Sequence, residues 1–264
     1  MQNTGQLDPV SYLTCPDGSK RAYLRHEGQT GSPGIIFLAG HGSDMLGTKA
    51  DALHQLACTH NIPFLRFDYF GHGLSDGSFL DGTITKWVND CVLMLDLLTT
   101  GPQILVGSSL GGWLMFRTTQ ERRERVAGLV GIAAAPDFTE TLVWGGLNGQ
   151  QKRQMRDDGQ IALPNLYAPE DVIYPYHLIL DGRDNLVMDR LADLNIPLTL
   201  FQGMADNEVP WQTSTQIAEK WGGKQVNVVL DKQAGHRFSE NHHLEQICAA
   251  TYRLWAAEAT RYQP

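Results

Sequence analysis

The chain has 264 residues, enough for one domain with a sizeable core and room for an insertion. Hydrophobic residues make up 42% and charged residues 19%, a balance that excludes intrinsic disorder. With 21 Lys and Arg against 29 Asp and Glu the net charge is −8, and no basic run occurs, which argues against a nucleic-acid partner and against electrostatic membrane attachment.

The first elements form a hairpin. "VSYLT" and "RAYLRHE" flank "CPDGSK", whose Pro16-Asp17-Gly18 is a turn signal. "GIIFLAG" (34–40) is a short apolar run ending in glycine, as in a buried strand. "TKADALHQLACTH" (48–60) spaces Ala50, Leu53 and Ala57 for a helix, and "PFLRFD" (63–68) is a second buried strand. Over 83–98 the residues Ile84, Trp87, Val88, Cys91, Leu95 and Leu98 fall on one helical stripe. "QILVGS" (103–108) reads as a strand, "LGGWLMFRTTQERR" as a helix and "VAGLVGIAAA" (126–135) as a strand. "PLTLFQG" (197–203) and "VNVVL" (226–230) are further strands around a helix, and a last helix follows Glu240.

Apolar strands alternating with helices predict an α/β fold with a mainly parallel sheet covered on both faces. Residues 136–195 break that rhythm. They are rich in Asp, Gly, Pro and Tyr and contain no convincing buried strand, so they are expected to form a helical cap inserted into a core of residues 1–135 and 196–264. Cys15, Cys58, Cys91 and Cys248 are scattered without a CxxC, so neither a zinc site nor a disulfide framework is expected. No apolar run approaches the roughly 18 residues of a membrane helix, and no signal peptide is evident, so a reducing, cytoplasmic setting is expected.

Two stretches fit Gly-x-Ser-x-Gly: Gly107 to Gly111 around Ser109, and Gly73 to Gly77 around Ser75. A nucleophilic serine in an α/β sheet sits on a tight strand-to-helix turn with small residues two before and two after it. Ser109 has the apolar strand before it and the helix after it. Ser75 lies between loop-like stretches, and Ser108 is out of frame. A serine needs a base, and the base needs an acid to hold it. In this fold class the order is Ser, acid, His. Asp206 in "FQGMADNEVPW" and His236 in "DKQAGHRFSE" follow apolar strands in that order. Asp137 and Glu208 are rival acids. His242 and His243 read as solvent-facing, His26, His54 and His60 as peripheral, and His72 lies in a loop able to face the site but precedes the serine, which breaks the expected order. The oxyanion would be met by the N–H of Leu110 and by that of His41, with Gly42 close behind, in the glycine-rich "GHGSDMLGTK".

"GHGSDMLGTKA", "FLRFDYFGHGLSDG", "GPQILVGSSLGGWLM", "FQGMADNEVPWQTS" and "AGHRFS" together resemble the α/β-hydrolase superfamily across nearly the whole chain. They are most similar to a bacterial and mitochondrial serine-hydrolase branch whose animal members are described as protein depalmitoylases and acyl-glucuronide esterases. The resemblance implies a carboxylesterase or thioesterase working on a small-molecule or acyl substrate through an acyl-enzyme, with no metal or organic cofactor. It carries the triad onto Ser109, Asp206 and His236, and the oxyanion donors onto His41 and Leu110. Position 41 is usually bulky or aromatic in such loops, so a histidine is a departure that bears on the polarity of the acyl pocket. Trp144, Tyr167, Tyr174 and Tyr176 are the candidate pocket aromatics. A carbon–carbon bond hydrolase on the same triad and a non-catalytic ligand-binding protein are the alternatives.

Overall fold

The computed structural model describes residues 9–165 and 169–261. Tyr167 lies outside the described residues. Burial on both faces marks the middle of the sheet. Every residue of β3 (Gly34–Leu38), β4 (Phe64–Phe67), β5 (Gln103–Ser108) and β9 (Leu198–Gly203) is buried, as is nearly all of β6 (Val126–Ile132). Strands of that kind need helices above and below, and the chain supplies α1 (Thr48–His60), α2 (Ile84–Leu98), α3 (Leu110–Glu121), α6 (Gln212–Lys220) and α7 (Asn241–Ala259).

The eight-stranded sheet runs β1-β2-β4-β3-β5-β6-β9-β10, with β1 (Ser11–Thr14) and β2 (Lys20–His26) as the antiparallel hairpin at one edge and β10 (Val226–Asp231) at the other. From β4 to β10 every pairing is parallel. The fold is an α/β-hydrolase fold, as expected. Among the described residues β10 pairs with β9 alone, and it is only half-buried although its run is apolar.

The helical stripes are those of the sequence. In α1 the buried residues are Ala50, Leu53 and Ala57; in α2 they include Ile84, Trp87, Val88, Cys91 and Leu95. Thr83 starts α2 by accepting the Lys86 N–H on its side chain. Buried apolar side chains continue from the sheet through these helices into one core.

Between β6 and β9 the chain leaves the sheet. It makes a π-helical turn (Thr139–Trp144), α4 (Gly149–Asp158), strands β7 (Gln160–Leu163) and β8 (Val172–Pro175), α5 (Tyr176–Asp184) and a 3₁₀ turn (Met188–Asp193). Asn148 and Gln151 form a reciprocal capping box at the start of α4. The β7–β8 antiparallel pair adds two short, only partly buried strands to the expected helices. Each strand has four residues, too few for alternation to register, and Ile161 alone is deeply buried in β7. Polar bonds tie the segment to the core: the Thr85 N–H donates to Asp181 Oδ2 (2.9 Å) and Trp113 Nε1 to the Asn185 carbonyl (3.0 Å).

Candidate active site

In a parallel sheet the loops at the carboxyl ends of the strands share one edge. Ser109 follows β5, the His41 loop follows β3, Asp206 follows β9 and His236 follows β10, so topology alone brings them together.

Ser109 has φ 54° and ψ −117°, a left-handed backbone on a residue with a Cβ. Such strain persists only where surroundings over-determine it. Here its N–H donates to the Ile132 carbonyl (2.9 Å), and its own carbonyl accepts from Gly112 (2.9 Å) and Ala135 (3.1 Å). The flanking glycines are steric necessities: a Cβ on Gly107 would overlap the Gly111 carbonyl, and one on Gly111 would overlap that of Leu38. The strand-to-helix turn therefore raises the Ser109 hydroxyl over the sheet edge.

His236 stands opposite. Its Nε2 lies 3.1 Å from Ser109 Oγ and its Nδ1 2.8 Å from Asp206 Oδ2. The Asp206 side chain is fully enclosed; Oδ1 accepts the N–H groups of Glu208 (2.8 Å) and Val209 (2.9 Å), and Oδ2 also accepts from Gln202 Nε2 (2.8 Å). Burial pushes the Asp206 carboxyl up, but the His236 imidazole and the two backbone N–H groups outweigh it and leave the group below its ordinary value. The carboxylate is thus ionised and fixed while the imidazole faces the serine. The turn that delivers His236 is organised by Asp231, whose Oδ1 accepts from Gln233 (2.8 Å) and Ala234 (3.1 Å). The Gln233 N–H and the His243 imidazole hold the Asp231 carboxyl at about 2.

The rival residues have other work. Asp137 spends Oδ1 on the Val187 N–H (2.8 Å) and Oδ2 on the Met188 N–H (3.1 Å), fastening the end of the inserted segment. Burial raises its carboxyl, opposed by those two bonds. Glu208 is half-exposed with Oε2 3.7 Å from His236 Nε2, on the serine side of the ring. His243 is a correction: instead of facing solvent it is buried, stacked on Phe238 at 3.9 Å with Nε2 3.1 Å from Asp231 Oδ2. A part-exposed carboxylate at the end of β10 holds it inward, which helix position alone does not reveal.

The glycine-rich loop after β3 passes directly over the serine; a Cβ on Gly40 would come within 3.4 Å of Ser109 Cβ. The Leu110 N–H, at the first residue of α3, is among those a helix leaves without an intrahelical acceptor. His41 packs among four aromatic rings, stacked on Tyr174 (5.6 Å, 9°) and against Phe79 (4.7 Å), Phe138 (5.7 Å) and Trp87 (5.9 Å). Burial, with a smaller push from His72, lowers its imidazole to about 3. The histidine is therefore neutral near pH 7 and serves as an aromatic ring, which removes the apparent departure at this position.

His72, set aside in the sequence because it precedes the serine, does lie beside the site, and its partner there is not readable from the sequence. It is buried, its Nδ1 lies 3.2 Å from the Phe70 carbonyl, and its Nε2 accepts the Gly42 N–H at 3.3 Å. The Phe70 carbonyl requires the proton on Nδ1, which leaves Nε2 free to accept. Asp68 joins the same two loops, accepting from Met45 (2.7 Å) and Leu74 (2.8 Å). The signal was present, since both loops are glycine-rich, but their mutual contact spans 30 residues.

A cleft of about 860 Å³ opens at this edge, reaching from Ser109, His41 and His236 to Phe138, Leu142, Val143, Leu163, Val172 and Tyr174. Tyr174 lines it. Trp144 and Tyr176 do not; they pack on each other (5.7 Å), with Arg156 and Arg183 each 5.0 Å from the Trp144 ring. Lys49 stands at the rim, its Nζ donating to the Arg237 carbonyl (2.7 Å), and burial lowers it to about 8.

A strained serine turn at the carboxyl edge of an eight-stranded sheet, facing an acid-held imidazole, defines the class. The chain belongs to the alpha/beta hydrolase family, whose model matches residues 35–250. It is 38% identical over 239 residues to the palmitoyl-protein thioesterase ABHD10, mitochondrial, of Bos taurus, covering 90% of this chain and 77% of that one. For the protein of the same name in Homo sapiens the values are 37% over 243 residues, 92% and 78%. Among solved structures, alpha/beta hydrolase domain-containing protein 10 from mouse superposes with a TM-score of 0.87 at 35% identity, covering 94% of this chain and 99% of that one. A putative hydrolase from Agrobacterium vitis S4 gives 0.88 at 34%, covering 93% and 99%. This chain is a hydrolase of that branch. The relatives' names also overturn the expectation of a cytoplasmic setting, since they are designated mitochondrial. The lack of a secretory signal and of a membrane-length apolar run, which carried that expectation, does not tell one intracellular compartment from another. Among the described residues no helix is long and apolar enough to cross a membrane.

Proposed function

We propose that the chain is a serine hydrolase that cleaves acyl thioesters and carboxylic esters through an acyl-enzyme. One observation carries this reading: the Ser109–His236–Asp206 chain of contacts at 3.1 and 2.8 Å. His236 Nε2 takes the proton of Ser109 Oγ as the hydroxyl attacks the acyl carbonyl. Asp206 keeps the other proton on Nδ1 and stabilises the imidazolium. The N–H groups of His41 and Leu110 receive the oxyanion, and His72 steadies the first of these through Gly42. The leaving thiol or alcohol departs with the proton from His236, and water then repeats the cycle.

Residues 136–195 act as the cap over a core of residues 1–135 and 196–264. Their contribution to the cleft is Phe138, Leu142, Val143, Leu163, Pro164 and Val172 with two polar side chains, Asn165 and Tyr174, a mostly apolar wall that suits an acyl chain. The relatives named as palmitoyl-protein thioesterases support a thioester substrate. Acyl thioesters and 4-nitrophenyl esters of graded chain length test the reading. Turnover of both series, abolished in Ser109→Ala, is expected. An enzyme inert to both series contradicts it.

A further inference from the structure

Far from the cleft, three side chains with metal-binding atoms converge. His54 and Cys58 lie one turn apart on α1, on the same face, and His26 ends the neighbouring strand β2. Cys58 Sγ is 3.4 Å from His54 Nε2 and 3.9 Å from His26 Nδ1. All three donor atoms lie within 4.8 Å of one another. The two imidazoles meet edge to face, at 75°, so that one ring does not stack over the other.

These separations suit one particular ligand. Zinc binds thiolate at about 2.3 Å and imidazole nitrogen at about 2.0–2.1 Å, so a tetrahedral site has an S···N edge of about 3.6 Å and an N···N edge of about 3.4 Å. The two S···N distances of 3.4 and 3.9 Å bracket that edge, and the two nitrogens lie within 4.8 Å of each other, so side-chain adjustment brings all three donors to one ion. A thiol can donate to one imidazole and accept from the other, so hydrogen bonds account for the pair of contacts without an ion, and metal binding is what separates the two readings. The His26 Nε2 is buried without a hydrogen-bond partner, so the ring is oriented by its other edge.

We propose that His26, His54 and Cys58 form a binding site for one thiophilic divalent cation of the zinc type. One thiolate and two imidazoles are a donor set that suits zinc, and water completes the tetrahedron. Coordination displaces the thiol proton to solvent, so affinity falls as the pH is lowered. Cys58 is exposed, which leaves an entry path. The site is also separate from the cleft. Lys49 at the start of α1 reaches the cleft rim, and nine residues of helix on to Cys58 span about 13 Å.

Cobalt(II) is the probe, because a tetrahedral thiolate site shows a sulfur-to-metal charge-transfer band together with intense visible bands. Titration of the full chain is expected to give one equivalent of bound cobalt with both features, displaced by zinc. Cys58→Ser is expected to lose the charge-transfer band, and His54→Ala to weaken binding on the order of 100-fold, since even outer-shell partners are worth about 10–100-fold. Cys248→Ser should keep the band. Unchanged thermal unfolding of the Cys58→Ser protein without metal would show that the loss is not misfolding. No stoichiometric binding, a spectrum without sulfur character, or loss of the band in Cys248→Ser instead would overturn the proposal. A sulfur-free spectrum would move the ion to the second cluster, Asp231, His242 and His243.

Discussion

The two Gly-x-Ser-x-Gly stretches have the same pattern and opposite roles. Around Ser109 the glycines are small because backbone presses on backbone: Gly107 on Gly111, and Gly111 on Leu38. Around Ser75 they are glycine because the loop demands positive φ, 46° at Gly73 and 109° at Gly77, where a Cβ would also strike Asp68 or Phe70. The hydroxyls differ accordingly. Ser75 Oγ donates to the Asp68 carbonyl (2.6 Å) and accepts the Ala22 N–H (2.9 Å), so it is a strut between a loop and β2. Ser109 Oγ faces the His236 imidazole. A five-residue pattern describes where a chain bends sharply; only the elements on either side say whether the bend presents its hydroxyl or buries it.

The sharpest way to break this contrast is to delete each hydroxyl. Ser109→Ala is expected to lower kcat by on the order of 10⁵–10⁶-fold with little change in the unfolding midpoint. Ser75→Ala should leave kcat within about twofold and cost about 1–3 kcal/mol of stability, because Ala22 loses its acceptor. Equal kinetic losses in the two variants would end the distinction. Next come the two buried carboxylates. Asp206→Asn is expected to cost about 10⁴-fold in kcat, read in the same ester assay. Asp137→Asn should mainly lower the denaturation midpoint, since its amide cannot accept from both Val187 and Met188.

The loop that holds Ser75 also holds His72, and this joins the two regions. His72→Phe removes the acceptor for the Gly42 N–H and is expected to lower kcat about tenfold with a smaller change in KM, whereas His72→Gln restores an acceptor and part of the rate. A loss confined to stability would make His72 only a packing residue. The smallest effect concerns acid. The His41 imidazole falls from an ordinary 6.5 to about 3 on folding, so the unfolded chain binds the proton more readily. The associated stability is complete above about pH 6.5 and is lost as the pH falls from there toward 3. Thermal melts from neutral to acid pH should fall less steeply in His41→Phe than in the wild type.

The legible parts of the chain were those governed by local rules. The strand, the glycines and the helix around Ser109 are contiguous, and Asp206 and His236 each follow an apolar strand, so topology supplied their meeting place. The stripe of α2 was readable for the same reason, since periodicity reports burial. What escaped reading depended on partners distant in sequence. His243 turned inward because Asp231 offers an acceptor beside Phe238. The β7–β8 pair is too short to show alternation, and β10 is apolar yet sits at an edge. Trp144 and Tyr176 looked like pocket wall, but an inserted segment needs its own aromatic packing, and they supply it.

The central claim is that the Ser109 hydroxyl is the one activated nucleophile, with His236 as its base. Labelling with a fluorophosphonate, followed by peptide mass spectrometry, tests it most directly. The account expects a single phosphonylated peptide containing Ser109, absent in Ser109→Ala and strongly reduced in His236→Ala. Label on the Ser75 peptide, or undiminished labelling of the Ser109→Ala protein, would contradict it.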